Sequence, residues 1–478
     1  MVTKTMSRPF SLRLPQDMWN SLQKHLFPGD DDEHGAVIGA SVVKTTRGNQ
    51  LLGCELFRAT DGIDYVPGKR GYRMLTADFV RHCALACANK QLAYLAVHNH
   101  SGVHKVAFSD DDMASHRRGY PALLDILDGP PVGALVFARQ AVAGDIWLST
   151  TRQIELECAV IAGQSQQTLY PSPQRPAESD SRYDRQVRLF GDRGQDILAA
   201  QKVGIVGAGG AGSLINEYLA RLGIGHLVVI DDDRVDPTNC PRLVGARQSD
   251  LHPRWLPQTL ASFLRRPTKL KVDIAKRVAC NANPLIRFNA VEGNVTEPSV
   301  ADQLVDCDAI FLAADTMQAR LVVNAICHQY LIPTWQVGAK VQVDKTSGDI
   351  DDVFSVVRQL VPGKTCLWCN QLVNPTTLAK EAASSEQRAA QRYVDEVVTP
   401  SVITLNAVSA AHAVNDYLFA IVGPRDNDYE TREIYWTKHR PLEPEPDIEV
   451  PRQDRGCSQC NKSLGSGPLK RLPVRSVL

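Results

Sequence analysis

Apolar runs of strand length alternate with helix-like stretches along the chain, and this alternation predicts an α/β protein. In the first third, a helical stretch spans residues 76–88, where apolar residues recur on one face. The predicted strands of this region are residues 37–43, 51–57, 92–97, 132–137 and 145–148. A polar turn at residues 45–49 joins the first two strands, so we expect them to pair with each other.

A second pattern, centred on a glycine-rich turn, organises the rest of the chain. An apolar run leads into Gly207, Gly209 and Gly212, and after a helix-like stretch a second apolar run ends at Asp231. In a nucleotide-binding βαβ unit, the first glycine allows the tight turn and the second lets the backbone approach a phosphate. The third glycine lets the helix pack close to the strand, and the acid reads a ribose hydroxyl. The pattern therefore predicts a nucleotide site.

Length, charge and cysteine content indicate the number of domains and argue against nucleic-acid-binding and membrane proteins. With 478 residues, the chain is expected to hold two or three domains. The 53 Lys and Arg residues balance 53 Asp and Glu residues, so nothing indicates binding to nucleic acid or to an anionic membrane. Polar residues interrupt the nearest candidate for a membrane span, residues 410–422. Because no signal peptide is recognisable and the 12 cysteines suit reduced thiols or metal, we expect a cytoplasmic protein.

The domain boundary is marked by composition. Residues 164–180 are rich in Gln, Ser and Pro, which is typical of an exposed linker. The predicted divisions are a first domain at residues 1–160, a linker at 161–180, a second domain at 181–460 and a loose tail at 461–478.

The candidate chemistry of the first domain lies at the end of its third predicted strand. His98 and His100 are two residues apart, so on a strand their imidazoles point to the same side. Asp112, at the start of the next helix, supplies a third ligand for a zinc ion. Three protein ligands leave a fourth position for water, which is the catalytic arrangement, and Glu33 is the candidate for moving protons.

These residues resemble the motif of the JAB (also called JAMM or MPN) metalloprotease family. That motif is a glutamate before a small-apolar strand, followed by His-x-His and then Ser-x-x-Asp. The resemblance implies a smaller α/β domain of the cytidine-deaminase-like type that cleaves peptide or isopeptide bonds at the C-terminus of ubiquitin-like proteins. The residues that it assigns are His98, His100 and Asp112 to zinc, Glu33 to general acid/base catalysis and Ser109 to the oxyanion.

The spacing departs from the family pattern, because one residue more than usual separates the second histidine from the serine. Asp110 or Asp111 therefore remains an alternative to Asp112 as the metal ligand. His104 and His116, by contrast, are expected at the surface. For the domain as a whole, a metal-free docking module is the alternative to a protease.

Beyond the glycine turn lie polar residues that a hydride-transfer site does not need and a triphosphate does. They are Asn239, Arg242, Lys271 and Asp315. Cationic side chains neutralise the β- and γ-phosphates, and an acid at a strand end holds Mg²⁺. This set suits attack by a carboxylate on the α-phosphate of ATP, which gives an acyl-adenylate and pyrophosphate.

The same residues, in their order along the chain, resemble the ThiF/MoeB/HesA family of prokaryotic relatives of ubiquitin-activating enzymes. The resemblance covers about residues 181–440 and implies a Rossmann-like adenylation domain with a mixed, mostly parallel sheet. It assigns the phosphate loop to Gly207, Gly209 and Gly212, the ribose to Asp231, the phosphates to Asn239, Arg242 and Lys271, and Mg²⁺ to Asp315. It also implies a homodimer in which Arg185 reaches the partner's ATP. The stretch at residues 246–270 is longer than usual and has no assigned role.

Two Cys-x-x-Cys pairs flank the C-terminal half of the second domain. They are Cys366 with Cys369, and Cys457 with Cys460. Two such pairs give the Cys₄ ligation of a closed structural zinc, which the family shares. Family members that form a thioester carry a cysteine between the pairs, but residues 396–406 contain none. Adenylation with transfer to a separate thiol is therefore the prediction.

Together, the two domains predict a bifunctional enzyme of a bacterial ubiquitin-like protein pathway. The metalloprotease domain would process or deconjugate the ubiquitin-like protein, and the adenylation domain would activate its C-terminal glycine for a separate conjugating enzyme. One alternative is activation of a sulfur-carrier protein, with a sulfur donor forming a thiocarboxylate. The other is a scaffold whose first domain lacks metal.

Overall fold

The computed structural model describes residues 9–68, 73–251, 268–344, 349–382, 400–423, 431–435, 454 and 456–475. The chain divides into two compact units. The first unit contains the residues up to Arg175 together with His328–Leu331 and Asn461–Arg471. The second unit contains Pro176–Cys327, Ile332–Cys460 and Leu472–Leu478.

The first unit is built on one sheet that closes on itself. Its described strands are β1 (Phe10–Pro15), β2 (Gly35–Lys44), β3 (Asn49–Arg58), β4 (Ala93–Asn99), β5 (Val132–Ala138), β6 (Ala141–Ser149), β7 (Arg152–Ala162) and β8 (Gln167–Leu169). Its described helices are α1 (Gln16–Leu26), α2 (Ala77–Asn89) and α3 (Asp110–Leu127). The strand order is β1-β3-β2-β4-β5-β6-β7-β8, and β1 also pairs with β7. The α/β class is confirmed, and β2 and β3 form the predicted antiparallel pair.

Closure of this sheet was not predicted from the sequence. It depends on β1, which pairs in parallel with β3 and also with β7. The partners of Phe10 in these two strands are Asn49 and Leu156, so the contacts join segments far apart in the chain. Apolar periodicity indicates that a strand exists, but it carries no information about such distant pairing.

Apolar layers cover both faces of the central strands of this sheet. On one face, Trp19 of α1 packs against Phe137 of β5 with ring centroids 5.4 Å apart. On the other face, Tyr94 of β4 belongs to a buried cluster with residues of α2 and α3, including Tyr120. Because both faces are buried, β2, β4 and β5 are continuous apolar runs rather than alternating ones. This packing fixes the end of β4 beside the start of α3.

The second unit is built on a mostly parallel sheet of seven described strands. Its described strands are β9 (Lys202–Val206), β10 (His226–Ile230), β11 (Arg287–Val291), β12 (Ala309–Leu312), β13 (Thr334–Val343), β14 (Ile350–Leu360) and β15 (Thr431–Tyr435). Its described helices are α4 (Asp184–Ala200), α5 (Gly210–Leu222), α6 (Gln248–Leu251), α7 (Lys271–Ala282), α8 (Pro298–Ala301), α9 (Met317–Gln329), α10 (Pro375–Ala382) and α11 (Ile403–Val422). The order is β11-β10-β9-β12-β13-β14-β15. The pairs from β11 to β13 are parallel and the last two are antiparallel, as the predicted mixed sheet requires.

Three aromatic rings lie at the centre of the second unit. Phe311 of β12, Trp335 of β13 and Tyr417 of α11 are in mutual contact, with centroids 5.4 to 5.7 Å apart. Through Tyr417, the sheet holds α11 in place, and α11 belongs to the same buried cluster as α5. Among the described residues, no helix combines the length and the apolar character needed to cross a bilayer.

The C-terminal segment differs from the loose tail predicted from the sequence. Ser463 is buried, and the carbonyl oxygen of Gly465 accepts hydrogen bonds from Ser41 Oγ at 2.6 Å and from Cys54 Sγ at 3.0 Å. Gly465 has a φ of +67°, and an added Cβ would collide with the backbone oxygen of Gly53. The prediction of a loose tail was wrong for residues 461–471, because Ser41 and Gly465 are 424 positions apart in the sequence.

Candidate functional site

The predicted zinc ligands of the first unit converge at the end of β4. His98 lies within β4, His100 follows it, and Asp112 lies in the first turn of α3. His98 Nε2 is 3.4 Å from Asp112 Oδ1, and His100 Nε2 is 3.4 Å from Asp112 Oδ2. One ligand atom from each residue lies within 4.8 Å of the others, which suits a single metal ion.

Of the three consecutive acids, Asp112 is the one placed against the histidines. It is 6% exposed, whereas Asp110 and Asp111 are exposed. The geometry therefore favours Asp112 over the two alternatives that the sequence left open. This choice follows from the helix, because α3 begins at Asp110 and directs residues one position apart to different sides.

A capping box at the start of α3 fixes the Asp112 carboxylate. Asp112 Oδ2 accepts hydrogen bonds from the Ser109 backbone N–H at 2.8 Å and from the Ser109 hydroxyl at 2.7 Å. In return, Ser109 Oγ accepts from the backbone N–H of Asp112 at 3.2 Å. Burial raises the pKa of the Asp112 carboxyl, but hydrogen bonds from His100 and His98 outweigh it and hold the pKa well below its usual range. Ser109 thus positions the candidate ligand Asp112, and its oxyanion role stays a prediction.

Glu33 lies beside this cluster, as the sequence predicted. Its Oε1 atom is 3.6 Å from His100 Nε2. Burial raises the pKa of the Glu33 carboxyl, against the lowering effect of the two histidines. A carboxylate next to the ligands but separate from them has the position that a proton acceptor for bound water needs.

Two supporting contacts were not predicted. His100 Nδ1 lies 3.1 Å from the carbonyl oxygen of Ala107, and a hydrogen on Nδ1 leaves Nε2 free for a metal. His116, one helical turn after Asp112, is 6% exposed and stacks on Tyr120 with ring centroids 4.7 Å apart. Burial lowers the pKa of His116 to about 4. The expectation of a surface His116 was wrong, and its i+4 spacing from Asp112 was the signal available in the sequence.

The glycine turn of the second unit has the predicted geometry. Gly207 has a φ of +95°, and its N–H donates to the Ile230 carbonyl at 2.9 Å. A Cβ added to Gly212 would collide with the Gly207 oxygen, so α5 packs close to β9. At Gly209, open space surrounds the position of an added Cβ, and α5 has no side-chain hydrogen bond at its N-cap. The N-terminus of α5 can therefore receive a phosphate.

Asp231 lies at the adjacent strand end and is held by the backbone. Its Oδ2 accepts from the Ala208 N–H at 2.6 Å, and its Oδ1 accepts from the Asp233 N–H at 2.9 Å. Burial raises the pKa of the Asp231 carboxyl, and Lys271 acts in the opposite direction. Lys271 Nζ is 4.0 Å from Asp231 Oδ1 and 2.5 Å from Asp233 Oδ2. The lysine thus reaches the predicted ribose acid but is paired mainly with Asp233.

The remaining predicted residues of this site occupy its edges. Arg242 Nη1 donates to the Thr238 carbonyl at 3.1 Å, and the Arg242 N–H donates to the Asn239 carbonyl at 3.0 Å. Asp315 is exposed and follows β12, whose end approaches Gly207 through Ala313. Arg185 is exposed in the first turn of α4. The structure thus groups the glycine turn, Asp231, Lys271 and Arg242, and the assignments to phosphate and Mg²⁺ stay predictions.

The four cysteines of the two Cys-x-x-Cys pairs come together. Cys366, Cys369, Cys457 and Cys460 bring their sulfur atoms within 4.8 Å of one another, and the Cys369 and Cys460 sulfurs are 3.7 Å apart. Three of these residues are at most 5% exposed. Thiols at this spacing form a cluster that can bind zinc. Asn324 accepts a hydrogen bond from the Leu367 N–H at 2.8 Å and thereby supports the first pair, a contact that was not predicted from the sequence.

Two predictions fall on segments that the structure describes only in part. The cysteine-free stretch at residues 396–406 is described only from residue 400 onward, since 383–399 are not included. Residues 252–267 of the long stretch at 246–270 are likewise outside them. In its described part, Asp250 forms two hydrogen bonds of 2.7 Å with the Arg277 guanidinium.

Comparison with known proteins decides the family of the second unit. Residues 183–458, more than half of the chain, match the ThiF family. The chain belongs to the ThiF family. The glycine turn, Asp231, Lys271 and all four clustered cysteines except Cys460 lie within the matched range.

Individual relatives cover shorter stretches. The chain is 31% identical over 154 residues to the SAMP-activating enzyme E1 of Haloferax volcanii, which covers 32% of this chain and 51% of that protein. It is 30% identical over 158 residues to the molybdopterin-synthase adenylyltransferase of Haemophilus influenzae, covering 33% and 58%. This chain therefore spans little more than half the length of these relatives. The Escherichia coli Microcin C7 biosynthetic enzyme MccB, in complex with N-formylated MccA, shares 21% identity at a TM-score of 0.43, over 59% of this chain and 75% of that one.

Proposed function

We propose that the second unit adenylates the C-terminal glycine of a ubiquitin-like protein. The observation that carries this proposal is the open N-terminus of α5 beside the partly buried Asp231, with Arg242 and Lys271 at its edge. Helix N-termini favour anions, and cationic side chains add to this preference. The names of the two relatives agree with such a reaction, since both describe activating enzymes or adenylyltransferases.

In the proposed reaction, a carboxylate oxygen of the terminal glycine attacks the α-phosphorus of ATP. The new P–O bond replaces the bond to the bridging oxygen of the β-phosphate, and pyrophosphate leaves with that oxygen. Asp315 is the residue that would hold Mg²⁺, which neutralises phosphate charge when bound. Gly209 leaves room for the phosphate, while Arg242 and Lys271 would orient it.

ATP–pyrophosphate exchange in the presence of a ubiquitin-like protein with a free C-terminal glycine tests this reaction. Asp315→Ala should lower the exchange rate by about 10²-fold or more, as is typical when a group that stabilises transferred charge is removed. Asp302→Ala is the matched control, because Asp302 is also an exposed acid but lies outside the glycine turn. Equal exchange in the two variants would refute the assignment of Asp315.

For the first unit, we propose zinc-dependent hydrolysis of peptide or isopeptide bonds at the C-terminus of a ubiquitin-like protein. His98, His100 and Asp112 would hold the ion, and the clustering of their ligand atoms fits it. Such an ion lowers the pKa of bound water and polarises a carbonyl. Glu33, 3.6 Å from His100 Nε2, would accept a proton and return it to the leaving amine.

The scaffold alternative makes a different prediction for metal content. Zinc quantification on the intact protein should find one ion at the Cys₄ cluster and one at the histidine–aspartate cluster if the first unit is a metalloenzyme. A single ion that is lost only in cysteine variants would favour the scaffold. Activity measurements on peptide-extended substrates then test hydrolysis itself.

The fate of the adenylate separates conjugation from sulfur transfer. Both outcomes start from the same adenylate and therefore suit the same site. Intact mass measurement of the ubiquitin-like protein after incubation with the cell extract distinguishes a thiocarboxylate from attachment to lysines.

We further propose a homodimer in which Arg185 acts at the partner's ATP. Mixing an Arg185→Ala chain with an Asp231→Ala chain should then restore part of the exchange activity.

A further inference from the structure

Asn406, in the first turn of α11, places a buried amide against the glycine turn. The residue is 6% exposed. A Cβ added to Gly210, the first residue of α5, would collide with Asn406 Nδ2 and would lie 3.7 Å from Arg242 Cδ. The amide therefore touches the N-terminus of α5 on the side that Arg242 also occupies. Asn406 lies almost 200 residues after the glycine motif, so no motif includes it.

Among the residues that the structure describes, one hydrogen of this amide lacks an acceptor. Nδ2 carries two hydrogens. Within the described ranges, the acceptor that it contacts is Ser401 Oγ at 3.2 Å. A buried donor without an acceptor is costly, so a second acceptor is expected at this position.

The surroundings of the amide indicate which acceptor this is. The N-terminus of α5 lacks a side-chain cap, and open space adjoins Gly209. The backbone N–H groups of the helix, the Arg242 side chain and the free Nδ2 hydrogen all favour an oxygen that carries negative charge. A negatively charged ligand oxygen bound at the N-terminus of α5 would supply this second acceptor.

We infer that Asn406 is a positioning residue for the nucleotide, donating its free Nδ2 hydrogen to a phosphate oxygen of ATP at the N-terminus of α5. The inference rests on the adenylation proposed above. Asn406 makes and breaks no bond in that reaction. It orients the phosphate, and Ser401 in turn orients the amide.

Asn406→Asp is the sharpest variant, because it keeps the shape of the side chain and replaces the donor by an anionic acceptor. The Ser401 hydroxyl can donate to the new carboxylate, so the variant is expected to fold. Titration calorimetry with Mg²⁺-ATP on the full chain should show affinity weakened about tenfold or more. Asn406→Ala removes the donor without adding charge and should weaken the affinity for Mg²⁺-ATP about threefold to tenfold. If the aspartate variant does not fold, the alanine variant tests the role of Asn406.

Two further readouts separate positioning from a structural role. The penalty of Asn406→Asp, relative to the parent chain, should shrink as pH falls through the range of the new carboxyl, since protonation removes the charge and restores a donor. Asn216→Asp is the matched control: Asn216 is a buried asparagine of α5, and its Nδ2 donates to the Ala275 carbonyl at 3.0 Å. This control should lower the unfolding temperature and leave ATP affinity unchanged.

The outcomes are distinct. Weaker ATP binding in both Asn406 variants, with unchanged binding in Asn216→Asp, supports the inference. Parent-like ATP affinity in Asn406→Asp overturns the role of Asn406 and leaves the adenylation proposal standing. Failure of the parent chain to bind ATP overturns both.

Discussion

The two ligand clusters of this chain differ in chemistry and in exposure. The Cys₄ cluster is made of four sulfur donors, three of them at most 5% exposed. In the other cluster, the side chains of His98 and His100 are 19% and 20% exposed, and Glu33 lies 3.6 Å from His100. A closed set of four ligands leaves no position for a substrate, whereas three ligands beside a free carboxylate leave one for water. The comparison therefore fits the proposal of a structural site at the cysteines and a catalytic site at the histidines.

The largest expected effect follows loss of a cysteine ligand. Cys366 is fully buried, and structural zinc contributes its binding free energy to folding. Cys366→Ser should lower the stability by on the order of 5 kcal/mol and the unfolding temperature by roughly 10 °C or more. Thermal unfolding measures this, with Cys280→Ser as the control at a thiol outside the cluster. Equal unfolding temperatures for the two variants would show that the Cys₄ cluster holds no structural ion.

The second-largest effect is expected at Glu33, where a substitution should lower the rate of hydrolysis without changing the stability of the fold. Glu33→Gln keeps the size of the side chain but removes the proton acceptor, so hydrolysis of a peptide-extended ubiquitin-like protein should fall by about 10²- to 10⁴-fold. Zinc content and unfolding temperature should stay unchanged, because Glu33 is not among the clustered ligands. Asp31→Asn, at an exposed acid two residues earlier, is the control. Retained hydrolysis in Glu33→Gln would remove this residue from the mechanism.

A third prediction concerns the neighbouring acids of α3. Asp112→Asn removes a ligand and should weaken zinc binding at this site by about 10²-fold or more, since even outer contacts of metal sites carry effects near that size. Asp111→Asn changes an exposed residue and should leave zinc affinity unchanged. Competition with a chromogenic chelator measures both. If Asp111→Asn is the variant that loses zinc, the ligand set described above is wrong.

The smallest effect is expected at Ser109. Ser109→Ala removes the hydroxyl that donates to Asp112 Oδ2, while the Ser109 backbone N–H still holds the same oxygen. Zinc affinity should therefore fall by only about tenfold. Hydrolysis measured at saturating zinc shows whether Ser109 has the additional oxyanion role. A rate equal to that of the parent chain at saturating zinc would limit Ser109 to positioning Asp112.

Residues whose spacing is local could be predicted from the sequence. His98 and His100 follow from the alternation of side chains on a strand, and Gly207, Gly209 and Asp231 follow from the glycine turn between two strands. In each case, the geometry of a single element or of one βαβ unit determines where the side chains point. The α/β class and the mostly parallel second sheet are likewise encoded in local periodicity.

Contacts between distant segments could not be predicted. Local sequence patterns do not indicate that β1 pairs with β7 or that Ser41 donates a hydrogen bond to the Gly465 carbonyl. Each contact depends on which surfaces meet after folding. The same applies to Asn406, which an isolated reading of α11 assigns to an apolar helix. For His116, the i+4 spacing from Asp112 indicated the face of α3, but the packing of Phe108 and Tyr120 against its ring could not be predicted.

One measurement tests the bifunctional account most directly. A ubiquitin-like protein carrying a short extension after its terminal glycine is incubated with the full chain, zinc and Mg²⁺-ATP, and its intact mass is recorded over time. The account predicts loss of the extension followed by a mass gain corresponding to AMP, with Glu33→Gln stopping at the extended form and Asp315→Ala stopping at the trimmed form. An AMP-free product that keeps its extension in the presence of the parent chain would contradict it.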